Sequence, residues 1–424
     1  MIKSGALNGL TVLRFAHAFA SGGGMERILA DLDQVLLARN TMTIIRMYIA
    51  SNPSEMEERI ELHGSGRLIL VPLALPEGES NQLAPDHETR GKRFSQLFRN
   101  RVLYHPLFWS LGFNHYVRHR RLRRRKGEVV GAGFRFSDLC QRHAIDLCMM
   151  HFFGSSDADE VIQAARAHRI PFALENHYAN DRFLHLSIRK HAMLADGVAG
   201  MNGLDVPAYL GNRYCNLADG IDISFFDRHR AVIPANAPAK PLIFLPSRII
   251  RPKGHLDVVS AVASLRQRGL DIAVAFAGRI ESSGFLRELR SDILQRGLND
   301  SIHFLGELNP TALRDWYAAS SVLVFPTYHH EGLGRIIVEA QSMEVPVVAY
   351  ATGGVPEGLV DGVTGFLVST GNIEALVAKL ELLLRDPERG QRMGKAGRLF
   401  VADRYSLEAL AARHETFYLG LLRK

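Results

Sequence analysis

The second half of the sequence alternates short apolar runs with amphipathic stretches in a regular order. Runs such as "LIFLP", "DIAVAFAG" and "SVLVFPT" are separated by stretches such as "HLDVVSAVASLRQRG" and "GRIIVEAQSME". Short apolar runs predict buried strands, and apolar residues at helical spacing predict helices that cover them. Strands separated by helices form a parallel sheet with both faces covered. The pattern therefore predicts a doubly wound α/β domain over residues 242–404.

The first half shows the same alternation, so the 424 residues divide into two predicted domains. Five of its stretches predict strands: 41–50, 67–75, 144–153, 170–177 and 197–202. The first domain is expected over 1–228, with an insertion at about 76–128, and a linker rich in Pro and Ala follows at 229–241. The last stretch, 405–424, predicts an amphipathic helix that could cross back to the first domain. Two such domains would face each other across a cleft between the carboxyl ends of their sheets, where ligands bind.

The charge distribution and the cysteine content indicate the cellular compartment and the kinds of binding partner. The net charge is +7, but the excess is concentrated in 90–126, which contains no Asp or Glu and ends in "VRHRRLRRRK" (117–126). Nucleic acid, an anionic membrane and mere solubility all remain open as reasons for this segment. The three cysteines, Cys140, Cys148 and Cys215, form no C-x-x-C motif, which favours a reducing compartment. A reducing compartment fits the cytoplasm best, and no apolar run reaches the roughly twenty residues of a membrane span. We therefore expect a cytoplasmic protein, either free or peripheral on the inner face of the cytoplasmic membrane.

Three adjacent glycines, in "ASGGGMERILADL", follow a further predicted strand at Leu10–Phe15. Gly22 and Gly24 supply the first half of the dinucleotide fingerprint, but Arg27 occupies the place of its third glycine. The phosphate loop of nucleotide triphosphatases is excluded as well, because no Gly-Lys-Ser/Thr follows. A strand, a glycine turn and a helix N-terminus still form an anion-binding arrangement. The alternative is a tight turn that binds no ligand.

Charged residues of the second domain fall at strand ends and helix starts. Glu331 and Glu339 are separated by seven residues in "EGLGRIIVE", so both carboxylates could lie on related faces of one element. Arg248 and Lys253, in "SRIIRPKG", lie between a strand and the next helix. Two cations beside a glycine-opened helix predict a diphosphate site, and solvated loop charges are the alternative. The tripeptide "HHE" at 329–331 invites a metal site, but no further ligand at suitable spacing supports it, so no metal is expected.

These segments together resemble a known enzyme family. The motifs "GGGMER", "SRIIRPKG", "IHFLGEL" and "EGLGRIIVEAQSMEVPVVAYATGGVPEGLVDGVTGFLV" are similar, in this order, to those of the family 4 glycosyltransferases. The resemblance covers the second domain and the first turn of the first domain. It implies the α/β GT-B fold, in which two doubly wound Rossmann-like domains face each other across a cleft. It also implies a retaining enzyme that uses a nucleotide sugar.

The resemblance implies roles for residues of the second domain. Arg248 and Lys253 would bind the donor diphosphate and stabilise the leaving nucleoside diphosphate, which is electrostatic catalysis without a metal. Glu331 would hold hydroxyls of the donor sugar, and Glu339 would hydrogen-bond to the ribose. Backbone N–H groups would contact the phosphates at three positions of the glycine-rich segment: Gly332, Leu333 and Gly334. The base would be read largely through the backbone of three residues in "FLGEL": Gly306, Glu307 and Leu308.

Two positions of the first domain are implied as well. His177, in "LENHYAN", would face the donor sugar, with His151 as a competing strand-end histidine. For either residue, the alternative is a core histidine with satisfied hydrogen bonds. Gly23 and Gly24 would lie against the diphosphate and the acceptor side of the reaction.

The implied reaction moves a sugar from UDP or GDP to a hydroxyl of a glycan or lipid-linked glycan, in bacterial cell-surface polysaccharide or lipopolysaccharide synthesis, with no separate cofactor. No first-domain carboxylate is an evident nucleophile, so front-face attack is expected, the departing phosphate oxygen taking the acceptor's proton. A non-catalytic nucleotide-sugar-binding protein is one alternative. Another is a nucleic-acid binder acting through 117–126, although nucleic acid is not the expected partner because no recognised module is present.

The basic and aromatic residues of 90–126 predict docking to an anionic membrane; the alternative is a basic arm above a packed helix.

Overall fold

The computed structural model describes residues 5–16, 24–49, 58–63, 66–73, 132–151, 156–177 and 186–423. The chain divides into two compact units, one of Met1–Leu217 with Ala411–Lys424 and one of Ala218–Leu410. The division therefore precedes the expected linker at 229–241, because Ile221 and Phe226 pack into the core of the second unit. The insertion expected at about 76–128 lies outside the described residues.

The first unit is built on a parallel sheet covered by helices. Its strands among the described residues are β1 (Thr11–Ala16), β2 (Thr43–Ile49), β3 (Arg59–His63), β4 (Gly66–Leu73), β5 (Leu147–Met150), β6 (Phe172–Glu175), β7 (Gly197–Gly200) and β8 (Tyr214–Asn216). Its helices there are α1 (Gly24–Arg39), α2 (Ala132–Arg142), α3 (Ser156–Ala167) and α4 (Leu186–Leu194). Strands β5, β6 and β7 are entirely buried, as expected for strands covered on both faces.

The strand order of this sheet is β3-β4-β2-β1-β5-β6-β7-β8 within the described residues. Only β3 at the edge runs antiparallel to its neighbour, and the other pairings are parallel. The order reverses between β1 and β5, where Phe15 is paired with Met150. In open sheets of this type, ligands bind at the carboxyl ends of the strands beside such a reversal. His151 directly follows β5 at that place.

The second unit repeats this architecture. Its strands are β9 (Leu242–Pro246), β10 (Ala273–Ala277), β11 (Ile302–Gly306), β12 (Val322–Phe325), β13 (Val347–Tyr350) and β14 (Gly365–Val368). Its helices are α5 (His255–Gln267), α6 (Ser283–Gln295), α7 (Pro310–Ala319), α8 (Arg335–Ser342), α9 (Ile373–Arg385) and α10 (Pro387–Arg404). The sheet is parallel throughout, in the order β11-β10-β9-β12-β13-β14, which is the Rossmann order. The predicted fold class, two doubly wound Rossmann-like α/β domains, is confirmed.

The last helix, α11 (Leu407–Leu422), begins in the second unit and ends in the first. Within the first unit, Leu421 and Phe417 pack so closely on Gly197 that a Cβ there would lie 2.7 Å from Leu421. The helix therefore completes the core of the first unit with residues from the far end of the chain. In the part of the chain that the structure describes, no helix combines the length and the apolar character needed to cross a bilayer.

Candidate active site

An ion pair lies where the strand order of the second sheet reverses. Lys253 ends a short 3-10 turn after β9, and its Nζ donates to Oε1 of Glu331 in the loop after β12. Lys253 is only 8% exposed, and its ammonium lies 5.5 Å from the centre of the Phe325 ring. Gly254 follows it with φ 74°, and a Cβ there would collide with the carbonyl of Pro326. The two strands beside the reversal thus hold one cation and one carboxylate together.

The loop that carries Glu331 is fixed by its own backbone. The carbonyl of Glu331 accepts a hydrogen bond from the N–H of Gly354 (2.9 Å). Gly353 has φ 54°, and a Cβ there would collide with the Glu331 backbone, so the glycine pair of "ATGGVPEG" permits this close approach. Oγ1 of Thr327 lies 3.4 Å from Oε1 of Glu331. The carboxylate is therefore held in one place before any ligand binds.

Arg248 is not part of this pair. Its Nη1 donates to both oxygens of Glu281 (3.0 and 3.1 Å), and its side chain is half exposed. Arg279 donates to the same carboxylate (2.6 Å). The pKa of Glu281 is lowered, chiefly by the hydrogen bond from Arg279. Burial acts to raise this pKa, and the hydrogen bond from Arg248 lowers it further. A diphosphate bound by Arg248 would have to compete with this carboxylate.

Glu339 lies inside α8 rather than at its exposed start. It is 6% exposed, and its oxygens accept hydrogen bonds from the hydroxyl of Tyr317 (3.0 Å) and from Nε of Arg335 (3.2 Å). Burial, and then the carboxylate, raise the pKa of Tyr317 well above its usual value, so this phenol stays a donor. A carboxylate has about four acceptor positions, so Glu339 retains acceptor capacity beyond these two bonds.

The glycine-rich segment between these carboxylates starts α8. Gly334 precedes the helix with φ 82°, and a Cβ there would lie 2.9 Å from the Phe325 ring. Leu333 is buried in the core, and Gly332 precedes it in the loop. At the end of β11, Gly306 has φ 71°, and its carbonyl accepts from the N–H of Gly278 (2.7 Å). Leu308, expected with Gly306 at the base, packs partly buried against the core of the second unit.

A second cluster lies at the carboxyl ends of β5 and β6 in the first unit. Nδ1 of His151 is 3.0 Å from Nε2 of His177 and 3.5 Å from Oε2 of Glu175. Nε2 of His177 is 3.8 Å from Oε1 of Glu175. From α11, Nε2 of His414 lies 3.1 and 3.2 Å from the two oxygens of Glu175. All four side chains are almost inaccessible.

Burial controls the charge state of this cluster. It lowers the pKa of His151 well below the usual value, so this ring is neutral at pH 7. For Glu175 burial acts to raise the pKa, but the attraction of His414, together with its hydrogen bond, opposes burial most strongly, and this pKa is held well below its usual range. The cluster therefore contains an ionised carboxylate beside a neutral imidazole.

The same cluster has a spacing that a metal ion could use. Ligand atoms of His151, Glu175 and His177 all lie within 4.8 Å of one another, the one such group among the described residues. The tripeptide at 329–331 does not form one: Glu331 is paired with Lys253, and Nδ1 of His329 lies 3.0 Å from the carbonyl of its neighbour His330.

Sequence reasoning missed Glu175 and His414. Glu175 lies two residues before His177, a spacing that brings side chains to one side of an extended chain, and this could have indicated a pair. His414 is a polar residue in an otherwise apolar helix face, but nothing in its local sequence indicates its partner 239 residues away.

Of the first-domain glycines, Gly23 lies outside the described residues and Gly24 is the first residue of α1.

Comparison with known proteins identifies the second unit. The family "Glycosyl transferases group 1" matches residues 228–400. The chain carries a glycosyltransferase group 1 domain. This domain contains the Lys253 and Glu331 pair, together with Arg248 and Glu339.

Individual proteins agree with this assignment. The capsular polysaccharide biosynthesis glycosyltransferase CapM of Staphylococcus aureus is 28% identical over 177 residues, which are 42% of this chain and 45% of CapM. A GDP-mannose-dependent alpha-(1-6)-phosphatidylinositol monomannoside mannosyltransferase of Mycolicibacterium smegmatis is 31% identical over 180 residues, 41% of this chain and 46% of that protein. The chain thus spans less than half the length of these curated relatives. A glycosyltransferase from Rickettsia africae superimposes with a TM-score of 0.69 at 18% identity, covering 98% of this chain and all of that one. The fold of this chain is GT-B.

Proposed function

We propose that this protein is a retaining glycosyltransferase that moves a sugar from a UDP or GDP sugar to a hydroxyl of a glycan or lipid-linked glycan. The observation that carries the proposal is the pair of Lys253 and Glu331 at the strand-order reversal of the group 1 domain. A buried cation can bind a diphosphate, and a fixed carboxylate can accept hydrogen bonds from sugar hydroxyls. Both parts of a nucleotide sugar would therefore be recognised at one place.

Catalysis depends on stabilising the nucleoside diphosphate as it leaves. The ammonium of Lys253 has three N–H donors, of which one serves Glu331, so it can also donate to phosphate oxygens. As the bond to the sugar breaks, negative charge grows on the diphosphate, and a cation in place beforehand stabilises it. The departing phosphate oxygen then takes the proton of the attacking hydroxyl on the same face, which retains the configuration of the sugar.

We propose that this reaction needs no bound metal, because Lys253 and Arg248 supply the positive charge. Turnover is expected to survive an excess of EDTA and to gain little from added Mg²⁺ or Mn²⁺. A loss of turnover in EDTA that either metal restores would contradict this part of the proposal.

The relatives support the class of acceptor. The CapM relative is named for capsular polysaccharide synthesis, and the mycobacterial relative for a phosphatidylinositol mannoside. We therefore propose an acceptor in cell-surface polysaccharide or lipopolysaccharide synthesis, presented at the inner face of the cytoplasmic membrane.

The test is a panel of UDP and GDP sugars, scored by thermal stabilisation of the protein, by sugar hydrolysis and by transfer to glycan acceptors. We expect one sugar to stabilise the protein and to be turned over, with the anomeric configuration of the donor retained in the product by NMR. An inverted product would overturn the retaining assignment. Stabilisation by a nucleotide sugar with no turnover toward any acceptor or water would favour the non-catalytic binding protein instead.

A further inference from the structure

The backbone of the first sheet brings His151, Glu175 and His177 together. Because β5 and β6 pair in parallel with Met150 opposite Leu174, the next residues along, His151 and Glu175, are neighbours at the carboxyl ends. The ladder continues past β6, where the N–H of Asn176 donates to a carbonyl of β7 (2.9 Å). His177 therefore returns to the side of Glu175, since residues two apart in an extended chain face the same side.

The distances decide which histidine carries the proton between them. Nδ1 of His151 and Nε2 of His177 are 3.0 Å apart, so one of them donates to the other. Glu175 lies closer to the His151 nitrogen (3.5 Å) than to the His177 nitrogen (3.8 Å). A carboxylate attracts an N–H and repels a bare lone pair, which places the proton on Nδ1 of His151.

We propose that Glu175 and His151 are positioning residues that hold His177 in its Nδ1–H tautomer, and that His414 of α11 fixes Glu175 in turn. With Nε2 of His177 accepting from His151, the nitrogen of His177 that can donate is Nδ1. The ring orientation and the hydrogen-bonding character of His177 would thus be set by a carboxylate that does not touch the ligand. That sugar transfer depends on this tautomer rests on the proposed function, whereas the order of hydrogen bonds does not.

A hydrogen bond explains the cluster better than a metal ion. The separation of 3.0 Å between two ring nitrogens is an ordinary hydrogen-bond length. The guanidinium of Arg14 is completely buried and lies close enough to interact electrostatically with both Glu175 and His151. A divalent ion would add two positive charges beside this buried cation, with Glu175 as the one carboxylate among its ligands.

The test is nitrogen-15 NMR of the full chain labelled at histidine, with the resonances of His177 assigned by their loss in His177→Gln. In the parent protein we expect a protonated Nδ1 and a bare Nε2 for His177. In His151→Phe the Nε2–H form is expected to appear; His151→Leu, which also lacks a donor, serves if that variant does not fold. The matched control is His191→Gln, because His191 is a buried first-unit histidine held by a different carboxylate, Asp159 (3.0 Å). This control should leave the His177 resonances unchanged.

Kinetics and metal content complete the test. Glu175→Gln and His414→Gln are expected to lower kcat by about tenfold or more with little change in KM, because a misplaced His177 affects the reacting geometry more than donor binding. The untreated protein is expected to contain no stoichiometric metal by mass spectrometry.

An Nε2–H tautomer in the parent, an unchanged tautomer in both His151 variants, or one bound metal ion per chain would overturn the proposal. The expected tautomers in a protein that transfers no sugar would support the hydrogen-bond order and contradict the proposed function. The two proposals can therefore fail separately.

Discussion

Lys253 and Arg248 carry the same charge in different surroundings. Lys253 is buried against Glu331 and the Phe325 ring, whereas the Arg248 side chain is 48% exposed and bound to Glu281. A charge interacts more strongly where water is excluded, because the local dielectric constant is lower. Lys253 is therefore the cation on which we expect turnover to depend most.

Replacing Lys253 by alanine should lower turnover by about a hundredfold or more, the usual loss when one preorganised group that stabilises transition-state charge is removed. Arg248→Ala should also lower turnover, by a smaller factor. The control is Arg251→Ala, because Arg251 lies two residues from Lys253 but is exposed and paired with Glu288. Initial rates at saturating donor are the measurement. Near-normal rates in both Lys253→Ala and Arg248→Ala would remove these residues from the site.

Glu339 should act on donor binding. Glu339→Gln is expected to weaken the binding of free UDP or GDP by about tenfold, since hydrogen bonds to a charged acceptor are worth about 1.5 to 3 kcal/mol. Tyr317→Phe separates this effect from packing, because it removes one partner of Glu339 and keeps the carboxylate. Glu331→Gln should instead reduce transfer more than nucleotide binding. Calorimetric titration gives the affinities, and an equal loss in Tyr317→Phe would show that Glu339 acts only through packing.

At the scale of single elements, His255, the first residue of α5, makes the folding stability of the second unit depend on pH. His255 is fully buried, with Phe276 and Phe285 against its ring at centroid distances of 5.0 and 6.2 Å. Burial, and then the charge of Lys253, lower the pKa of His255 to about 4 from 6.5. Between pH 4 and pH 6.5, His255 is protonated in the unfolded chain but neutral in the folded protein. Lowering the pH through this range therefore favours unfolding, so the folded protein is fully stable above pH 6.5 and loses stability as the pH falls toward 4.

The free energy of unfolding should therefore fall by about 2 kcal/mol from this group alone between pH 7.5 and pH 5. His255→Phe keeps an aromatic ring at the site and removes the titration. We expect the parent to lose more stability than His255→Phe over this interval, measured by chemical denaturation at both pH values. The same pH dependence in both proteins would refute the assignment to His255.

Helix α11 is attached to the first unit by a buried carboxylate. Glu415 accepts from Nε and Nη2 of Arg39 (3.0 and 2.9 Å) and from Nδ2 of Asn40 (2.9 Å). Glu415→Gln should cost about 1 to 3 kcal/mol of stability, because these donors lose a charged acceptor. Glu408→Gln is the control, since Glu408 is an exposed glutamate of the same helix and should change stability by less than about 0.5 kcal/mol. Equal melting temperatures for the two variants would contradict the attachment.

At the scale of the whole molecule, the two units share one architecture and differ in what they hold at the strand-order reversal. The second unit holds Lys253 and Glu331 there, whereas the first holds the histidine that directly follows β5, next to Glu175. The expected cleft between the domains and the membrane docking of 90–126 stay predictions, and that segment lies outside the described residues.

The basic segment should bind the full chain to anionic vesicles. Each Lys or Arg near such a surface contributes about 1 kcal/mol, an attraction that weakens as salt rises. We expect co-sedimentation with anionic but not neutral vesicles, and a loss of binding when five arginines are changed to glutamine: Arg120, Arg121, Arg123, Arg124 and Arg125. Equal binding to both vesicle types, or no effect of the substitutions, would leave the segment without this role.

The sequence by itself determined the fold class and the order of the second-domain motifs. Apolar runs separated by amphipathic stretches have one stable arrangement, a covered parallel sheet, so local pattern is enough to predict it. The glycine-opened helix was predictable as well: Gly334 directly precedes α8, at a φ of 82° that favours glycine. The spacing of "EGLGRIIVE" predicted both glutamates on one element, but only Glu339 lies in α8, whereas Glu331 lies in the loop before it because the helix begins at Arg335.

Only the tertiary structure decided which side chains meet. Arg248 and Lys253 are five positions apart, yet Lys253 pairs with Glu331 and Arg248 with Glu281, because strand order and not chain order sets their neighbours. The pairing of His414 with Glu175 joins residues 239 positions apart. Such contacts depend on how helices and strands pack after the chain has closed long loops, and local sequence pattern does not specify them.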